Sequence, residues 1–235
     1  MHRFLRLPVV LLWAALFLLG SAGSPVAAQT VFSAVVLNQG QLVNGLFQEQ
    51  NGTVTAIPTG LPTNNFPALS PNGRFITMAS RNPAQPSSLA TDLFVFDRLT
   101  NQRRTLIDYS VEALSGGSFV TPEATHSALS PDNQLLALTT VMNVTTNLGG
   151  MSSNPMLTVH RASDGFQLSI AAIGLGDSVD FFRSEFTGVS WAPDRAVFAA
   201  PSYVPTLTQN GVLRSSVSIV EFALNPATTQ WEVVR

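Results

Sequence analysis

The chain has 235 residues, 45% of them hydrophobic and only 11% charged, a balance that excludes a disordered tail. A formal charge of −2 excludes a strongly basic nucleic-acid binder as the default reading. With no cysteine, a disulfide scaffold, a cysteine-ligated zinc site and a cysteine nucleophile are excluded as well.

The first element is an address. Arg3 and Arg6 precede an apolar run over Leu7–Gly20, and small residues follow up to Val26-Ala27-Ala28. That order is the n-region, h-region and cleavage site of a secretory signal peptide, which predicts cleavage after Ala28. The run is shorter than the roughly 20 residues of a membrane span. All 12 basic residues are arginine, and two leave with the leader, so the mature chain carries a net charge of −4. The expected location is periplasmic or extracellular, with no membrane span after processing.

The mature chain repeats. Ala68–Met78, Ala128–Leu138 and Ser190–Ala200 align, with prolines at 71, 131 and 193. Each copy reads as strand, tight turn, strand. Proline fixes φ at the turn, and Asn72, Asp132 or Asp194 can close it by bonding its own backbone. The turn motif is Ser70, Pro71, Asn72 and Gly73 in the first copy, Ser130, Pro131 and Asp132 in the second, and Pro193 with Asp194 in the third. Two further strands follow each turn: Asp92–Asp97 with Arg103–Ile107, Met156–Arg161 with Phe166–Ile170, and Ser216–Phe222 with Gln230–Val234. Upstream, Val31–Leu37, Gln41–Gln48 and Thr53–Ile57 make an incomplete copy, with a hairpin signal at Asn51-Gly52.

Four short antiparallel strands per repeat, here called a to d, make the blade of a β-propeller. The expected fold is therefore all-β. It has three full blades, at 61–109, 121–173 and 184–235, and an incomplete one at 29–60. The motifs LSPNG (69–73), LSPDN (129–133) and WAPDR (191–195) resemble the WD40-like propeller repeat of the TolB family over nearly all of residues 29–235. The resemblance implies an extracytoplasmic propeller used to bind proteins. The same repeat also accompanies peptidases and other enzymes as a non-catalytic domain.

The repeat departs from the family by its length of about 60 residues, against roughly 40–45 for a WD40-type blade. The extra residues fall in the b–c loops (Arg81–Thr91, Thr140–Pro155, Pro201–Ser215) and the d–a loops (Asp108–Thr125, Gly174–Thr187). In an up-and-down blade both connections emerge on one side of the disc, which makes that side the candidate binding face. Its candidate contact residues are Arg81, Asn82, Asn143, Asn147, Tyr203 and Arg214.

The search for chemistry finds little. His126 and His160 lie on separate strands without a second histidine at ligand spacing, and read as strand residues. Gly188-Val189-Ser190-Trp191-Ala192 lacks the final glycine of a nucleophile elbow. Asp177, Asp180 and Glu185 share a d–a loop and are weak candidates for calcium, opposed by Arg183. No phosphate loop is present, and no cofactor is expected. Arg103-Arg104 reads as a charged guard on an outer strand. The function expected is a non-catalytic binding or scaffold module for a protein or envelope ligand. The alternative is the N-terminal propeller of a larger secreted enzyme of the peptidase or hydrolase type.

Overall fold

A computed structural model of the chain describes residues 29–38, 41–85, 88–173, 185–186, 188–207 and 213–234. The predicted leader lies outside them. The structure is all-β, with a sheet curled into a half-barrel. Among the described residues the one helical element is a 3-10 turn at Ser115–Gly117.

Consecutive strands pair antiparallel in four groups. The first holds β1 (Gln29–Asn38), β2 (Gln41–Gln50) and β3 (Thr53–Ile57). Its β2–β3 turn is Asn51-Gly52, with φ of 53° and 78°, the left-handed pair that a two-residue hairpin requires. The second group runs β4 (Asn65–Leu69), β5 (Phe75–Arg81), β6 (Thr91–Asp97) and β7 (Gln102–Ile107). After the short β8 (Glu112–Ala113) comes the third group: β9 (Phe119–Leu129), β10 (Leu135–Thr145), β11 (Met151–Arg161) and β12 (Gln167–Ile173). One parallel pair, Thr91 with Glu123, joins the second and third groups into a nine-stranded sheet. The fourth group holds β13 (Glu185–Phe186) and β14 (Ser190–Trp191), both on β15 (Val197–Leu207), then β16 (Leu213–Asn225) and β17 (Gln230–Val233).

The groups pack face to face in chain order, and the period-2 alternation of each strand decides which neighbour a side chain meets. Ile76, Met78, Phe94 and Phe96 of the second group pack on Leu46 and Ile57 of the first. Ala79, Leu93 and Val95 turn the other way, onto Leu129, Leu136 and Leu138 of the third. Ala137, Leu157 and Val159 then meet Trp191, Phe198, Phe222 and Trp231 of the fourth. Burial on both faces is why these strands read as almost unbroken apolar runs.

Polar links cross each interface. Arg103 donates to the Thr59 carbonyl at 2.7 Å and Arg104 to the Ala162 carbonyl at 2.9 Å, so the pair ties the second group to both neighbours. This replaces the edge-guard reading: a guanidinium is long enough to cross between sheets while its charged end stays hydrated. The Ser127 hydroxyl donates to Thr77 Oγ1 at 2.8 Å, and Trp191 Nε1 to the Ala128 carbonyl at 2.8 Å. At Gly165 (φ 76°) an added Cβ would lie 2.0 Å from the Leu106 carbonyl oxygen, so only glycine fits there.

The predicted strands and turns fall where expected, but two of the predicted b–c loops do not, and the expected d–a loop Asp108–Thr125 contains β8 and already enters β9 at Phe119. Thr140–Pro155 is largely ladder: β10 and β11 stay in register from Leu135–Arg161 out to Thr145–Met151, closed by a turn at Thr146–Gly150. Pro201–Ser215 is likewise paired, from Pro201–Ile219 to Leu207–Leu213. Threonine and valine are adequate strand formers, and the sequence of these segments carries no period-2 apolar stripe from which a strand could be read. The connection after β5 matches the expected loop in its described part.

Candidate functional site

At the end of the second and third groups where β5 leads into β6, the connections gather. The segment after β7 returns here and is held by Asp92. This carboxylate is fully buried, and its Oδ1 accepts the Tyr109 N–H at 2.9 Å. Tyr109 in turn shares a hydrogen bond of 3.2 Å between its hydroxyl and Thr140 Oγ1. Asp92 Oδ2 has no hydrogen-bond partner. Burial raises the Asp92 pKa, the Tyr109 N–H lowers it, and the nearby Asp108 charge raises it again. The sequence reading missed Asp92 because it sits inside an apolar strand, where aspartate has no pattern of its own.

The ribbon of β9, β10 and β11 rises from the same end. Asn143 is a ladder position opposite Ser153, whose hydroxyl donates to Asn143 Oδ1. Asn147 lies exposed in the tip turn, beside Leu148, which is 92% exposed. Thr146 closes that turn: its hydroxyl accepts the Gly150 N–H at 2.9 Å. Arg81 pairs with Thr91 and is exposed, and Asn82 Oδ1 accepts the Ala84 N–H at 2.9 Å. Tyr203 and Arg214 occupy ladder positions opposite Val217 and Thr206 on the β15–β16 ribbon. Five of the six candidates thus sit on ladders or the ribbon tip, and Asn82 is engaged in its own turn. Asp177 and Asp180 lie outside the described residues, and Glu185 is a ladder position opposite Tyr203. Among the described residues no three acidic or histidine side chains gather as metal ligands.

The Ser-Pro turns lie at the opposite end. Asn72 and Asp132 close their turns as expected, each accepting the N–H two residues on at 3.0 Å. The serine adds a role that the sequence reading did not give it. Ser70 and Ser130 each donate to that Asx oxygen and accept the N–H five residues on, at 2.8 and 2.9 Å. A cleft of about 270 Å³ lies between the third and fourth groups at this end, lined by Ser130, Pro131, Asp132, Trp191, Pro193 and Asp194.

The histidines differ. His160 is buried and bonded on both ring nitrogens, to Thr158 Oγ1 at 2.8 Å and the Gly165 carbonyl at 2.9 Å. Burial lowers its pKa, with a smaller opposing effect from that carbonyl. His126 has a buried Nδ1 without a partner, and burial lowers its pKa too. Ser190 lies on the short β14 opposite Ala199, not at a strand-to-helix turn.

No protein-family model matches the chain, and no curated protein matches it in sequence.

Proposed function

We propose that this chain is an extracytoplasmic β-propeller of the WD40-like, TolB-like kind, acting as a non-catalytic binding module. The observation that carries the reading is the placement of the insertions. Two of the repeats lengthen their second and third strands into ribbons, and the second group sends its own connections to the end from which the third group's ribbon rises. Material added repeatedly on one face of a repeat fold belongs to a surface that meets something else. Successive antiparallel groups packed face to face, three of them opened by a turn at the motif proline, support the propeller architecture. The leader supports a place outside the cytoplasm.

The test replaces residues 143–153 with Asn-Gly, which joins the Met142–Asn154 pair by a two-residue hairpin. Native and shortened chains of equal thermal midpoint are used as bait in an envelope extract of the producing cells. A species retained by the native chain and lost from the shortened one is the expected result. Identical capture by both would overturn the reading.

A further inference from the structure

What faces the buried Asp92 carboxyl is a second carboxyl. The β6–β7 ladder ends at Leu93–Ile107, and one step further along it Asp92 stands opposite Asp108. Like charges directly opposite each other destabilise a sheet. Asp108 acts on the Asp92 carboxyl by charge and by hydrogen bonding, both against the charged form, while Asn82 favours that form. The two Asp92 oxygens are unequal. Oδ1 accepts the Tyr109 N–H at 2.9 Å, whereas Oδ2 is buried and receives no N–H or O–H.

The other elements around Asp92 bring no counter-charge to it among the described residues. Ser80 of β5 lies opposite, but its hydroxyl is engaged with Thr63 Oγ1 at 3.1 Å and with the Arg81 carbonyl at 3.2 Å. Arg81 is the next residue along β5, so strand alternation turns its exposed side chain to the other face. Glu123 of β9 pairs with Thr91, again one position away and on that other face. From β10 comes the uncharged Thr140, whose hydroxyl meets that of Tyr109. An ionised Asp92 would therefore be a buried charge facing a like charge. A protonated Asp92 has a donor of its own on Oδ2 and an acceptor opposite.

We propose that Asp92 and Asp108 share one proton, and that this proton latches the connection after β7 onto the sheet. Asp92 Oδ2–H donates to an Asp108 oxygen, and the exposed Asp108 carries the negative charge of the pair in water. Release of the proton to solvent leaves two carboxylates face to face, one of them buried. The Tyr109 N–H supports the charged form of Asp92, but burial and Asp108 outweigh it, and the net direction is upward. The docked connection thus holds the proton more tightly than an undocked one does. By linkage the latch is at full strength below the ordinary value near 3.8, and weakens as pH rises to the docked midpoint. Burial also raises the pKa of the Tyr109 hydroxyl, which stays protonated throughout. The latch sits where the connections gather, and it does not depend on that end meeting a partner.

The test combines two NMR readouts on the native chain. The first is the titration of the Asp92 side-chain carbon, assigned through its own backbone signals. Its midpoint should lie above 3.8. The second is hydrogen exchange of the Tyr109 N–H, corrected for the intrinsic rate at each pH. Protection should fall about tenfold for each pH unit by which the measured midpoint exceeds the ordinary value. Asp108→Asn replaces the like charge by an amide that can donate to Oδ2, so the Asp92 midpoint should move down. Asp92→Asn keeps an acceptor for Tyr109 and a permanent donor for Asp108, so Tyr109 protection should no longer change with pH. Adding about 10 mM calcium, well above the affinity of weak extracellular sites, should leave the native midpoint in place. A midpoint at or below 3.8, or Tyr109 protection equal on both sides of it, would overturn the proposal. So would a midpoint pulled down by calcium, which would make a cation the partner of the pair.

Discussion

The third and fourth groups start from the same motif and hold together by different chemistry. In the third, Ser130 makes the turn a closed network: its hydroxyl bridges Asp132 and the Leu135 N–H, and Asp132 takes the Gln134 N–H. His160 adds a second polar link through Thr158 and Gly165. In the fourth, Ala192 stands where serine stood. One ladder bond, Ala192 N–H to the Val197 carbonyl at 2.8 Å, remains from that set, and the Val197 N–H turns to the Arg195 carbonyl at 2.8 Å. There an aromatic cluster takes over. Phe198 has ring centroids 5.1 Å from Trp191, Phe222 and Trp231, and Trp191 and Trp231 meet edge to face at 5.3 Å. One backbone path can thus be fixed by directional hydrogen bonds or by non-directional burial.

The largest way to break this comparison is in the aromatic cluster. Trp231 is 4% exposed, so Trp231→Ala should destabilise the chain by about 3–5 kcal/mol in urea unfolding. A loss below about 1 kcal/mol would mean that the fourth group is held some other way. Next is Ser130→Ala, which strands the Leu135 N–H and frees Asp132, an expected loss of about 1–3 kcal/mol. The converse change, Ala192→Ser, should import the network and gain about 0.5–1.5 kcal/mol. No gain would show that the Arg195 turn geometry cannot accept it.

The smallest effect is in pH. The Ser130 hydroxyl first, and the Gln134 N–H second, hold the Asp132 carboxyl below the usual range. A depressed folded pKa stabilises above the ordinary value near 3.8, and that stabilisation is lost as pH falls through the lower folded value. Asp132→Asn should therefore reproduce the neutral Asn72 turn. Acid unfolding below about pH 4 should become shallower, with stability at pH 7 changed by less than roughly 0.5 kcal/mol. An unchanged acid limb would contradict the assignment.

The all-β class and the order of strands were legible because the turns at Pro71, Pro131 and Pro193 and the apolar strands after them stand out in residue identity. The ribbons were not, since Thr140–Pro155 lacks the apolar alternation that marks a strand in sequence. The cross-sheet reach of Arg103 and Arg104 needs the neighbouring carbonyls of Thr59 and Ala162, which are distant in sequence. Asp92 left no trace in the pattern because a buried carboxylate breaks it rather than follows it.

The central claim is that successive antiparallel groups stack face to face in chain order. The absence of native cysteine allows a direct measurement. Thr77 and Ser127 lie on adjacent groups with hydroxyl oxygens 2.8 Å apart, so Thr77→Cys with Ser127→Cys places two thiols in bonding reach. Refolded under a glutathione redox pair and analysed by mass spectrometry, the double variant should form one intramolecular disulfide in nearly every molecule. Free thiols, or disulfides only between molecules, would contradict the stacking.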